Sequence, residues 1–285
     1  MAKLMEWNGT EIGAKASNVT FENGETGMLA TNVQQAIEEL KRTGVGGSSA
    51  SAYNGKKMGV IGDSFTASGL WIKQMNKTLN LESYKNTAVS GGSWVADTMH
   101  QELSALSRAQ ALYDHYKNAG AQPDYIVVVD GVNDYGNNVP IGDIVFSDIP
   151  DMTQMTDADM VTALDTLYDF DTFSGGAQAA LVYLRSRFPD AIIKIGWTPA
   201  GQQYLRNQIT TAHAFSTLYS YLDRLKTLAL MYGVQYIDTF NMGIAPWMAS
   251  ERAKYQKGVY DEHPTDDLGQ KRIGDYMARL LLSNL

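Results

Sequence analysis

The sequence predicts an α/β fold: a mainly parallel five-stranded sheet between two layers of helices, with a small N-terminal extension. Three observations carry this. From Tyr53 onward, short apolar runs alternate with longer segments of helical periodicity, the order that builds a parallel sheet with helices on both faces. Two of the runs, Ile126-Val127-Val128-Val129 and Ala191-Ile192-Ile193, are almost continuously apolar, as strands covered on both faces require. The stretch beginning at Gly44, Gly-Val-Gly-Gly-Ser-Ser-Ala-Ser-Ala, has the composition of a flexible linker and divides residues 1–52 from residues 53–285.

In the N-terminal part, Val19 to Phe21 reads as a short strand followed by a Gly-bearing turn. Thr31 or Asn32 then caps a helix from Val33 to about Arg42, with Val33, Ala36, Ile37 and Leu40 on one face. So short a helix with so narrow an apolar stripe is marginal alone and calls for a packing partner. In the larger part the expected strands are Lys57–Ile61, Tyr84–Ala88, Tyr125–Asp130, Ala191–Trp197 and Val234–Asp238. The expected helices are Leu70–Leu79, Thr98–Lys117, Ala158–Phe170, Gly176–Phe188, Ala212–Tyr232 and Leu268–Leu282. Residues 135–157, rich in Asn, Asp, Pro and Gly, read as a long loop of the kind that shapes a site.

Composition narrows the function. The 285 residues are 44% hydrophobic and 19% charged, ordinary values for a water-soluble protein. A net charge of −8 argues against nucleic acid as a partner. Without cysteine there is neither a thiolate nucleophile nor a sulfur-ligated metal, and the four histidines lack the paired spacing of a zinc site. No metal and no cofactor is expected. The N-terminus has no apolar core of a signal peptide and no stretch approaches membrane-spanning length, so synthesis in the cytosol and no membrane partner are expected.

Three polar clusters each follow a predicted strand, on the sheet edge where α/β proteins bind ligands. Gly62-Asp63-Ser64 follows the first strand, Val89-Ser90-Gly91-Gly92 the second and Gly131-Val132-Asn133-Asp134 the third, while His263-Pro264 precedes the last helix. A serine hydroxyl needs a base to take its proton, and His263 is set in a Pro-terminated loop suited to that task. A developing oxyanion needs preorganised donors, for which the backbone N–H groups of Ser64 and Gly91 and the side-chain amide of Asn133 are candidates. Asp63 and Asp134 are expected to hold their own loops, and Asp238 to serve a cap or loop. His100, His115 and His213 fall in helical stretches and read as surface or core residues. Trp94, Tyr135, Trp197 and Trp247 follow strands or site loops and serve either the core or stacking against sugar rings; Trp94, Tyr135 and Trp197 are the candidate substrate-binding residues.

The four clusters, in this order over about residues 55–285, resemble the SGNH (GDSL-like) hydrolase family. The resemblance implies Ser64 as nucleophile, Gly91 and Asn133 as oxyanion donors with the Ser64 backbone, and His263 as base. The family's acid stands three residues before the histidine, where this chain has Tyr260. Asp261, two before, is the candidate acid; Glu262 and a Ser–His dyad are the alternatives. The implied activity is a serine esterase acting on ester-linked acyl groups, acetyl groups on a carbohydrate above all. Its rivals are an inactive carbohydrate-binding tail-tip adhesin on the same fold and a lipase or thioesterase with a wide apolar groove. Residues 16–40, with the run Ala-Thr-Asn-Val-Gln-Gln-Ala-Ile-Glu-Glu-Leu, resemble short modules of bacteriophage tail and tail-fibre proteins. This second resemblance implies a phage or prophage particle and a homo-oligomer, a trimer, formed through the N-terminal module.

Overall fold

In a computed structural model of the chain, the described residues are 50–95, 101–199, 215–240, 242, 244, 248–258, 261 and 263–283. The chain divides into two compact units, residues 1–51 and 52–285, and the account below concerns the second. The expected strand and helix of the tail-like segment, and His100, His213, Trp247, Tyr260 and Glu262, lie outside the described residues.

The sheet has five strands, β1 (Lys57–Gly62), β2 (Ser83–Asn86), β3 (Tyr125–Val129), β4 (Ile192–Gly196) and β5 (Gln235–Tyr236), in the order β2-β1-β3-β4-β5. Every pairing is parallel. The order reverses direction between β1 and β3, so the loops leaving those two strands diverge and open a crevice at their carboxyl ends. Ser64 and Asn133 sit on those two loops.

Ten helices are described: α1 (Ala50–Tyr53), α2 (Ser64–Ala67), α3 (Leu70–Leu79), α4 (Ala105–Asn118), α5 (Val132–Gly136), α6 (Asp157–Leu167), α7 (Phe173–Arg187), α8 (Phe215–Met231), α9 (Ala249–Tyr255) and α10 (Leu268–Ser283). One core layer joins α4, α6, α7 and α8 to one sheet face through residues such as Leu112, Val128, Leu181 and Leu225. The opposite layer packs Trp71, Ile72 and Met75 of α3 and Ile273 and Met277 of α10 against Met58, Val60 and Val127. Alternate residues of β1 and β3 thus enter opposite layers, which is why those strands read as unbroken apolar runs.

The long elements match their expected positions, and the differences have local causes. The helix expected from Thr98 begins at Ala105, because the Ser104 hydroxyl accepts from the Ser107 N–H and caps it there. The helix expected from Gly176 begins earlier, at Phe173, capped by the Thr172 hydroxyl through the Gly175 N–H. The last strand covers only Gln235–Tyr236, at the sheet edge beside β4.

Candidate active site

The Ser64 loop is built by its neighbour. Asp63 caps α2, its Oδ1 accepting from the Phe65 N–H at 2.9 Å, and its carbonyl accepts from the N–H groups of Thr66 and Ala67. This sharp transition from strand to helical turn places Ser64 at the first helical position, half-buried, beyond the end of β1. Thr198, past the end of β4, donates its hydroxyl to the other Asp63 oxygen and accepts from the Val132 N–H at 3.2 Å, tying three strand ends together.

Across 199 residues of sequence, His263 Nε2 lies 2.8 Å from Ser64 Oγ. The other ring nitrogen, Nδ1, lies 2.8 Å from Asp261 Oδ1. The same oxygen accepts from the His263 backbone N–H at 3.1 Å. The loop is held by bonds from the Lys257 N–H to the His263 carbonyl and from the Gly258 N–H to the Asp261 carbonyl. The Phe65 ring stacks on the imidazole, with centroids 4.8 Å apart and 25° between planes, covering one face of the base. Partial burial works to raise the Asp261 carboxyl, but the bonds from the His263 ring and backbone outweigh it and hold the carboxyl below its ordinary value. With the acid ionised beside Nδ1, the N–H belongs on Nδ1 and the lone pair on Nε2 faces Ser64, the arrangement in which imidazole acts as a base.

The other two loops meet beside Ser64. Gly91 adopts φ +82°, a conformation open to glycine, and the Gly92 N–H closes the turn onto the Val89 carbonyl at 3.1 Å. Gly131 has φ +128° and lies against the Trp197 ring, where a Cβ would come within 2.5 Å of a ring carbon; that close approach seats α5 and aims Asn133. Asn133 donates one amide N–H to the Gly92 carbonyl at 2.7 Å, which leaves its second N–H for a ligand. No partner is recorded among the described residues for the backbone N–H of Ser64 or of Gly91.

Beneath these loops lies a buried charged cluster that sequence reasoning missed. Arg108 of α4, 2% exposed, donates through Nη1 to the Gly62 carbonyl and through Nη2 to the Ser93 carbonyl, both at 2.6 Å. It also pairs with Asp130 at 2.6 Å. One guanidinium therefore fastens the carboxyl ends of β1 and β3 to the Gly91–Ser93 loop. The sequence did hold a signal: Arg108 lies on the same helix face as buried Ala105, Ala109 and Leu112. Asp63, Asp130 and Asp134 are all fully buried. Burial, reinforced by the Asp130 charge, pushes the Asp63 carboxyl well above its ordinary value. Burial also raises Asp130 against the pull of Arg108, and burial with the Asp130 charge raises Asp134 to about 7. Asp134 does not hold its own loop as expected. Its carboxylate accepts from the N–H groups of Trp94 at 3.0 Å and Val95 at 3.2 Å, bracing the neighbouring loop. Asp63 and Asp238 do serve their own loops, Asp238 accepting from the Phe240 N–H at 3.1 Å.

The expected substrate-binding aromatics need correcting. Trp94 and Trp197 are fully buried and Tyr135 is 1% exposed. They interlock with Phe173 and Tyr221 in edge-to-face contacts, so no ring face is open to a sugar. The apolar run that places them after strands also carries them into the core layer. His115 lies exposed in the last turn of α4, far in sequence and function from Ser64.

The model of the GDSL-like lipase/acylhydrolase family matches residues 60–271, three of the four clusters' loops and the His263 loop included. Among solved structures, a protein from Lactobacillus plantarum is 20% identical over 81% of this chain and 99% of its own, with a TM-score of 0.57. A protein of Bacteroides ovatus ATCC 8483 described as a GDSL-like lipase is 13% identical over 79% of this chain and 97% of its own, with a TM-score of 0.50. At these identities the two share the fold. No curated protein matches the sequence.

Proposed function

Because the chain belongs to the GDSL-like lipase/acylhydrolase family, we propose that it is a serine esterase with Ser64 as nucleophile, His263 as base and Asp261 as the orienting acid. The observation that carries the reading is the single imidazole bridging Ser64 and Asp261, with 2.8 Å on either side.

In this mechanism the Ser64 Oγ attacks the ester carbonyl as its proton passes to His263 Nε2. The imidazolium is stabilised through Nδ1–H by Asp261. The carbonyl oxygen, now negative, is met by the backbone N–H groups of Ser64 and Gly91 and the remaining N–H of Asn133. The proton on Nε2 then passes to the departing alkoxide, leaving an acyl group on Ser64. A water molecule, deprotonated by the same Nε2, attacks the acyl-enzyme and restores the serine. The residues present suffice for each proton transfer.

The substrate in this reading is an acyl, chiefly acetyl, ester of a carbohydrate, and residues 1–52 serve assembly of a phage-tail particle. The tail-like run at 16–40 supports that context, and light scattering on the full chain and on residues 53–285 tests it: the same oligomeric state for both would remove the assembly role. A binding-only adhesin is disfavoured by a complete Ser–His–Asp constellation, which a protein that only binds has no need to keep in register. The direct test of the esterase is Ser64→Ala. The variant should fold normally and lose about 10⁴–10⁶ in turnover of p-nitrophenyl acetate. Wild-type-like hydrolysis by Ser64→Ala would overturn the nucleophile assignment.

A further inference from the structure

We propose that the cavity opening at Gly91 is a subsite for the larger, non-acyl part of the ester, and that it takes a neutral polyhydroxylated group such as an uncharged sugar ring. This rests on the esterase reading of Ser64 and His263 and names the substrate side of that same site.

The cavity holds about 420 Å³, within the range of small-ligand pockets and far more than a two-carbon acyl group fills. Gly91, whose N–H is one of the candidate oxyanion donors, is among its lining residues, so the cavity shares a residue with the candidate reacting centre. Its far wall includes Asn137, whose backbone N–H bonds the Asn133 carbonyl at 2.9 Å. Asn137 is the residue that ends α5, four positions after the candidate donor Asn133.

The wall chemistry selects the ligand. Val95, Leu103 and Val139 present aliphatic surface, which suits the C–H face of a sugar ring. The Asn137 amide and the Asp171 carboxylate stand in the same cavity, exposed, with no side-chain partner recorded among the described residues. A long acyl chain laid here would displace water from both groups and return no hydrogen bond. Ring hydroxyls replace that water by donating to the carboxylate and accepting from the amide. An acidic sugar would bring its carboxylate against Asp171 in a chain of net charge −8. The size leaves room beyond an acetyl group, the polar groups favour hydroxyls over a lipid chain, and Asp171 disfavours an anion.

The test uses the full chain with four esters: p-nitrophenyl acetate, p-nitrophenyl hexanoate, a methyl 6-O-acetylglucoside and an O-acetylated methyl glucuronide. Asp171→Ala and Asn137→Ala, both surface changes, should each raise KM for the acetylglucoside by about tenfold, the worth of one lost hydrogen bond, and leave p-nitrophenyl acetate within about twofold. Asp171→Ala should also narrow the wild-type preference for the glucoside over the glucuronide. An unchanged acetylglucoside KM in both variants, with p-nitrophenyl acetate still hydrolysed, would overturn the subsite and spare the esterase. Hydrolysis of the hexanoate faster than the acetate, accelerated further by Asp171→Ala, would make the cavity an acyl groove instead. A wild-type chain that turns over none of the four would overturn the esterase reading, and the subsite with it.

Discussion

Asp261 Oδ1 meets His263 twice, at 3.1 Å from the backbone nitrogen and at 2.8 Å from ring Nδ1. Here the carboxylate folds back on the chain in a side-chain-to-backbone turn, and that turn delivers the oxygen to the ring. A carboxylate two residues before the histidine thus reaches ring Nδ1.

Asp261→Asn should lower kcat by about 10² or more, because an amide can no longer stabilise the imidazolium and its N–H favours the wrong tautomer. The side chain is half-exposed, so water takes over part of its role, which keeps the expected loss below that of a buried triad acid. KM should hardly move. A loss under about tenfold, roughly 1.4 kcal/mol, would show that the site runs as a Ser64–His263 dyad.

Asn133→Ala removes two things at once, a donor to the oxyanion and the bond to the Gly92 carbonyl. We expect kcat to fall by about 10²–10³ while KM stays nearly constant, since the donor acts mainly in the transition state. Asn133→Asp should be worse, as it sets a negative charge against both the Gly92 carbonyl and the forming oxyanion. Steady-state kinetics on p-nitrophenyl acetate decide it, and a change confined to KM would make Asn133 a substrate contact.

Long elements were legible in the sequence because burial on both faces writes itself into composition. Val127 and Val128 enter opposite core layers, and the run around them could be read as a central strand without further help. The short helix α2 was not legible, since four residues carry no periodicity and its existence depends on the Asp63 cap. The candidate residues Ser64, Gly91, Asn133 and His263 could be picked out from the type and order of their clusters, because the chemistry they are proposed for constrains residue type. What holds them could not. Arg108 shows its partners only once α4 is seen to turn that face under three loops, and Trp94 and Trp197 read as site aromatics until the core layer claims them. Sequence records the types of the candidate groups more openly than the contacts that hold them still.

The Arg108 cluster predicts a stability effect with a defined rescue. Arg108→Met leaves Asp130 buried without its partner and removes the side-chain bonds to the Gly62, Ser93 and Ser104 carbonyls, each of which keeps a backbone donor, and should cost about 3–5 kcal/mol. The double variant Arg108→Met with Asp130→Leu removes the stranded charge and should recover a large part of that loss. Urea midpoints of the three proteins measure it. If the double variant is no more stable than the single one, the cost lies in the carbonyl bonds of Gly62 and Ser93 and the ion pair is secondary.

The last prediction concerns pH and Asp134. Burial and the neighbouring Asp130 charge lift its carboxyl from 3.8 to about 7, while the Trp94 and Val95 N–H bonds and Arg108 pull the other way. Between those two values the native protein holds a proton that the unfolded chain has released. Unfolding then liberates a proton, and raising the pH favours it. The stability this carboxyl contributes is fully present below about pH 4, declines as pH rises toward 7 and changes no further above that. For a shift of this size the decline is on the order of 4 kcal/mol, an upper bound because Asp63 and Asp130 titrate in the same cluster. Asp134→Asn cannot ionise, yet its side-chain oxygen can still accept from Trp94 and Val95. The variant should be close to the wild type in stability at pH 4.5 and should gain on it steadily up to pH 7.5. Urea denaturation at four pH values between 4.5 and 8.5 tests the sign directly. Parallel curves for the two proteins would mean that Asp134 is ionised throughout, with the backbone donors strong enough to hold the charge in the core.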